Sequence, residues 1–140
     1  MILIGKQYAD ELQLSICRAK KSIKMIVFCW TIWEEKKCES LFKINEAIRY
    51  TARSGVEVKC LTGSEGLTRR ARDLGIEAKY LTNFKIVHAK FILIDDKKLF
   101  IGSHNLTKSG LESNLECSAV IDFTDVDNEA NLFFDRLWKN

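Results

Sequence analysis

His88-Ala89-Lys90-Phe91-Ile92-Leu93-Ile94-Asp95-Asp96-Lys97-Lys98-Leu99-Phe100-Ile101-Gly102-Ser103-His104-Asn105 is the stretch on which the fold turns. Val87 to Asp95 reads as a strand, Asp95-Asp96-Lys97-Lys98 as a tight turn, Leu99 to Ile101 as the returning strand, and Gly102-Ser103 as a glycine turn. Residues two apart on a strand share a face, so His88 and Lys90 should project together, roughly 6 to 7 Å apart. Asp95 has the opposite parity and lies at the strand end, which points to structural contacts. The turn that follows presents the Ser103 hydroxyl and the Asn105 amide, both suited to phosphate oxygens. Only His88 and His104 can supply imidazole chemistry.

Upstream, Leu12, Ile16, Ala19 and Ile23 recur at helical spacing and predict an amphipathic helix over 9–22 with a basic end at Arg18, Lys20 and Lys21. Met25 to Ile32 reads as a buried strand. Leu41, Ile44, Ile48 and Ala52 mark a helix over 38–53, with Gly55 suited to its left-handed end. Val56, Val58 and Cys60 alternate with charged residues as a strand does. Leu67 to Leu74 reads as a short basic helix, Ile76 to Leu81 as a strand and Thr82 to Ile86 as a loop. Downstream, Leu115 to Asp122 is the last strand and carries Glu116. Val126, Ala130, Phe133, Phe134, Leu137 and Trp138 mark a closing helix, with Thr124 and Asp127 spaced as a capping pair. Strands alternating with helices, then a hairpin, a strand and a helix, describe a layered α/β domain with a mixed sheet.

The 140 residues suit one domain, 1–140, and 46% hydrophobic with 29% charged residues excludes a disordered chain. The longest apolar run, Met25 to Trp33, is far short of the ~20 residues that cross a bilayer, so stable membrane insertion is not expected. Met1-Ile2-Leu3-Ile4 lacks the basic start and cleavage site of a secretory signal. The five scattered cysteines form no disulfide framework or metal knuckle and read as reduced side chains in a cytoplasmic protein. The net charge of +3 conceals an asymmetry: residues 112–140 carry seven acidic and two basic side chains, leaving +8 for residues 1–111. A positive body of that size draws polyanions, although a solvated basic surface would look the same.

His88-x-Lys90, four residues, Asp95, then Gly102-Ser103-x-Asn105 resembles the H-x-K-x(4)-D and G-S-x-N signature of the phospholipase D superfamily. In length the chain is most similar to the small bacterial endonucleases of that superfamily that carry a single motif. The basic run Arg18 to Lys24, Gly55-Val56-Glu57-Val58, Leu74-Gly75-Ile76 and Phe133 to Trp138 fall where such domains place them. The stretch before Tyr8 is short for the first strand of such a domain. The resemblance implies a three-layer α/β/α domain with a mixed, mostly parallel sheet. It also implies that His88 is a nucleophile forming a phosphohistidine. Lys90, Ser103 and Asn105 would bind phosphate oxygens, Glu116 would orient His88 through its second ring nitrogen, and Asp95 would complete the catalytic motif through structural contacts.

The superfamily's chemistry uses two motifs, one histidine attacking while the other protonates the leaving oxygen, so a single motif implies a homodimer sharing its site. Neither a metal nor another cofactor is expected, since His88, His104, Asp95 and Glu116 match no recognised zinc spacing. The implied activity is metal-independent cleavage of nucleic acid, DNA or RNA, with phospholipid hydrolysis and a non-catalytic nucleic-acid-binding module as the rivals. Trp30 and Trp33, at the end of the first strand, and Gly63 to Gly66 could line the same crevice. Ordinary packing accounts for the tryptophans equally well, and a turn alone explains the glycines, which is the preferred reading. Arg69, Arg70, Arg72, Lys79 and Lys85 could track a phosphate backbone or form a solvated face.

Overall fold

The computed structural model describes residues 1–33 and 35–140. Strand β2 (Ser22–Val27) is buried along its whole length and sits in the middle of a seven-stranded sheet ordered β1-β7-β6-β5-β2-β3-β4. The others are β1 (Ile2–Ile4), β3 (Glu57–Thr62), β4 (Glu77–Tyr80), β5 (Phe91–Ile94), β6 (Lys98–Gly102) and β7 (Cys117–Asp122). Helices α1 (Lys6–Cys17), α2 (Glu39–Arg53) and α3 (Glu65–Asp73) cover one face, and α4 (Glu129–Lys139) covers the other. Strand periodicity assigns the two cores. Ile23, Met25, Ile92 and Ile94 meet Leu12, Ile16, Ile44 and Ile48, whereas Ile26, Phe91, Leu93 and Leu99 meet Ala130 and Phe134. The three-layer α/β/α arrangement is therefore as expected.

The sheet is mixed but not mostly parallel. Only β2 with β3 and β3 with β4 run parallel, while β1 with β7, β7 with β6, β6 with β5 and β5 with β2 are antiparallel. Parallel neighbours need a crossover, which α2 and α3 provide in turn. After β4 no further helix returns the chain to the same end. It passes over the ends of β3 and β2 and enters β5 running the other way.

The β5–β6 hairpin closes at Asp95 and Asp96, whose φ angles are 52° and 61°, with the Lys97 N–H donating to the Ile94 carbonyl at 3.1 Å. Two positive φ values at the centre are what a mirror-image turn requires, and aspartate tolerates them. Several boundaries differ from expectation. The first helix spans Lys6–Cys17 rather than 9–22, because Gly5 (φ 56°) turns the chain early and the backbone of residues 20–22 is bound elsewhere. Short as it is, the stretch before it forms β1, at the sheet edge. The closing helix is capped by Asn128, whose Oδ1 accepts the Asn131 N–H at 3.0 Å, in place of Thr124 and Asp127. Asparagine is among the strongest N-caps, and the Asp127 N–H is already bound by Asp125.

Candidate active site

The antiparallel register that pairs Ile26 with Phe91 sets the exit of β2, residues 27–29, beside residues 88–90 at the entry to β5. The exit of β6 and the entry to β7 lie at the same end of the sheet. Regular pairing of β5 begins at Phe91, so His88 to Lys90 form an extended rim beyond the strand rather than part of it. His88 is exposed and Lys90 half-buried. The Lys90 ammonium lies 3.0 Å from Nδ1 and 3.1 Å from Nε2 of His88. An ammonium has only protons to offer, so the nitrogen it bonds presents a lone pair. Burial draws the Lys90 pKa below the usual lysine range, against the opposing pull of the Cys29 thiol and the Glu116 carboxylate. Its charge is costly where it stands, and an anion would relieve that cost.

Asn105 joins this rim through its side chain. Its Oδ1 accepts the Cys29 N–H at 3.4 Å, which turns Nδ2 outward as a donor. Gly102, four residues from the end of the β5–β6 turn, is required by a close approach. A Cβ there would lie 2.5 Å from the Ser118 Cα and 2.6 Å from the Cys117 carbonyl oxygen. The next residue, Ser103, accepts the Cys117 N–H at 3.0 Å and lies 3.2 Å from the Cys117 carbonyl, so its hydroxyl ties β6 to β7.

Glu116 is held by Ser103 and by Asn114, whose Nδ2 donates to it at 3.1 Å. These hydrogen bonds hold its carboxyl below the usual carboxylate range. It makes no hydrogen bond to His88 within the described residues. β7 stands two strands from β5, about 10 Å across the sheet.

The two histidines have opposite surroundings. His104 is 1% exposed and stacks flat on Tyr8, with ring centroids 4.2 Å apart and 4° between planes. Its Nε2 lies 3.1 Å from the Gly5 carbonyl, which can only accept, and its Nδ1 lies 2.7 Å from the Ser118 hydroxyl. Nε2 therefore carries the proton and Nδ1 accepts, which fixes a neutral ring with both nitrogens engaged. Burial lowers its pKa.

Asp95 lies at the far end of β5, about 17 Å from Lys90 along the chain. Its carboxylate accepts the backbone N–H groups of Lys20, Lys21 and Ser22 at 2.7 to 3.1 Å. Trp30 is buried and donates Nε1–H to Asn45 at 2.8 Å, whereas Trp33 is 55% exposed. In the Gly63–Gly66 segment, Ser64 caps α3. Arg72 donates to the Ala78 carbonyl and Lys79 to that of Trp138, while Arg69 and Lys85 are exposed. Among the described residues, no group of three or more His, Cys, Asp or Glu is placed to hold a metal ion, and no helix is long and apolar enough to cross a membrane.

Phe28 was not among the expected site residues. Its ring centroid is 4.6 Å from that of His88, and Lys90 Nζ lies 5.2 Å above its face. The sequence offers Trp30 and Trp33 as the aromatics at a strand exit, but β2 ends at Val27 and the residue at the exit is Phe28.

The three-layer domain gathers an imidazole, a lysine and an asparagine amide at one sheet end. A family model described as "Cardiolipin synthase, PLD-like domain" matches residues 12–138, and the chain belongs to the phospholipase D superfamily. It is 25% identical over 134 residues to the mitochondrial cardiolipin hydrolase of Mus musculus, covering 93% of this chain and 58% of that protein. The chain spans about half the length of the curated relatives it matches. Among solved structures, it is similar to Nuc, a phospholipase D family member from Salmonella typhimurium. The TM-score is 0.75 at 24% identity, over 99% of this chain and 92% of that one. NucT from Helicobacter pylori gives a TM-score of 0.80 at 20% identity, over 99% and 94%.

Proposed function

We propose that this chain cleaves nucleic-acid phosphodiester bonds without a metal, through a phosphohistidine at His88 and a site shared by two copies. The observation that carries this reading is the contrast between the histidines. His88 is open and touches a costly cation, whereas His104, the only other imidazole, is sealed and satisfied on both nitrogens. A ring nitrogen of His88 attacks phosphorus, and the P–N bond forms as the bond to the leaving oxygen breaks. That oxygen needs a proton, and no second free imidazole exists in the chain, so the partner's His88 donates it. Water then attacks phosphorus and breaks the P–N bond, and its proton returns to the partner's imidazole. Lys90 and the Asn105 Nδ2–H face the charge that develops on the non-bridging oxygens, which is where fixed donors contribute most. Glu116 acts through its field at Lys90, and Asp95 by fixing the loop at the opposite end. The domain expected over 1–140 then contains one half of a symmetric site.

The +8 charge of residues 1–111 and the exposed Arg69 and Lys85 support nucleic acid as the substrate. One observation favours a phospholipid instead. An apolar groove lined by Phe84, Ile86, Val87, Phe133 and Leu137 begins at His88, and the curated relatives are named cardiolipin hydrolases. The test is purified protein in excess EDTA with single- and double-stranded DNA, RNA, and anionic or zwitterionic vesicles. Cleavage of nucleic acid alone is expected. Lipid turnover alone would replace the substrate, binding without turnover would overturn both readings, and activity lost to EDTA but restored by a divalent ion would overturn the imidazole mechanism.

A further inference from the structure

His88 lies outside the regular hydrogen-bonded part of β5 and has no hydrogen bond to a carboxylate of its own chain among the described residues, yet a nucleophile must be held to within a fraction of an ångström. Its ring meets the Lys90 ammonium at 3.0 and 3.1 Å and the Phe28 ring at 4.6 Å between centroids, inclined by 48°. Lys90 Nζ also sits 5.2 Å over the same Phe28 ring. One aromatic face therefore braces both the imidazole and the cation. The brace is itself anchored, because Val27 before it is buried in β2 and the Cys29 N–H after it is bound to Asn105. Phe28 itself is 38% exposed, so its ring lies open at the rim beside His88.

We infer that Phe28 is a positioning residue for this site: its ring face fixes the His88 imidazole and favours the cationic form of Lys90. The inference rests on the reading of His88 as nucleophile. Phe28 touches no reacting atom and acts through these two neighbours. A leucine would keep the apolar contact and lose the π-face, whereas a tyrosine would keep both. The groups that face Lys90 and share in setting its titration are His88, Cys29 and Glu116, and Phe28 adds a neutral quadrupole to them.

The experiment uses the full chain with an activated small phosphodiester, bis(p-nitrophenyl) phosphate, so that it does not depend on the natural substrate. Phe28→Leu should lower kcat about 10- to 100-fold with a smaller change in KM, at a near-native melting temperature. Because p-nitrophenolate departs without needing a proton, the alkaline limb on this substrate is set by loss of the Lys90 proton, and it should move to lower pH by about half a unit once the ring no longer favours the charged form. Phe28→Tyr should restore most of the rate and the position of the limb. Should leucine disturb folding, Phe28→Met fills similar space without a ring and serves in its place. Wild-type kcat and an unmoved limb in the leucine or methionine variant would overturn the inference, as would equal losses in the tyrosine variant. Failure of the underlying reading looks different: His88→Asn would then retain turnover on the same substrate.

Discussion

Lys24 within β2 and Lys90 just before β5 are both withdrawn from solvent, wholly in the first case and partly in the second, and the two are treated in opposite ways. At the Ser22 end, Lys24 is buried and its ammonium meets Asp96 at 2.9 Å, Asp135 at 3.0 Å and the Asn131 side-chain oxygen. Asp96, 4% exposed, also takes Lys21 at 2.7 Å and the Ser22 hydroxyl at 3.2 Å. Burial alone would raise the Asp96 carboxyl, but hydrogen bonds from Lys21 and Lys24 outweigh it and hold the group below the usual carboxylate range. At the His88 end, Lys90 makes no salt bridge among the described residues; its partners are an imidazole and an aromatic face. One end spends its charges on the fold. The other leaves a desolvated cation and an open imidazole for a ligand to complete.

That difference can be broken most forcefully by removing one charge from each end. Asp96→Asn takes one of two carboxylates from the buried Lys24 ammonium, Asp135 keeping it partly paired, and should cost about 1–3 kcal/mol in urea unfolding. Lys90→Met removes a cation that gains no ion pair, so stability should change by less than about 1 kcal/mol while turnover is lost. Equal destabilisation by the two substitutions would erase the distinction between the ends.

A smaller effect sharpens the contrast between the histidines. His104 is held neutral in the fold with its pKa below the unfolded value of about 6.5. The unfolded chain therefore binds the proton first as pH falls, and the stabilisation present above about pH 6.5 is lost as pH drops through the folded pKa. Melting temperatures between pH 7 and 5 should show this slope in the wild type. His104→Gln should start from a lower plateau, by about 1–3 kcal/mol, with a flatter slope. An unchanged slope would mean that His104 is not a sealed neutral ring.

The motif was legible because its residues are few and fixed in spacing, and Leu41, Ile44 and Ile48 with Gly55 gave α2 within a residue. Other features depended on distant segments. The seal on His104 comes from Gly5, Tyr8 and Ser118, which no spacing around residue 104 reveals. The antiparallel pairing of β5 with β2 follows from the long passage between β4 and β5, which carries no periodic signal. Glu116 reads as part of the last strand, but β7 begins only at Cys117, and its place two strands from β5 is set by pairing that no local pattern shows. Residues 88–90 have strand character, but the regular ladder starts only at Phe91, and that boundary is what frees His88 and Lys90 for chemistry.

The central claim, that the open imidazoles of two copies serve one site, is tested most directly by subunit mixing. Wild-type and His88→Asn chains are combined in equal amounts and allowed to exchange fully, with exchange verified by mass-tagged chains. Random pairing yields about a quarter wild-type dimers, a half mixed and a quarter doubly substituted. A shared site leaves mixed dimers inert, and activity should fall to about a quarter of an all-wild-type sample at equal total chain concentration. A value near one half would mean that each copy works alone and would contradict the account.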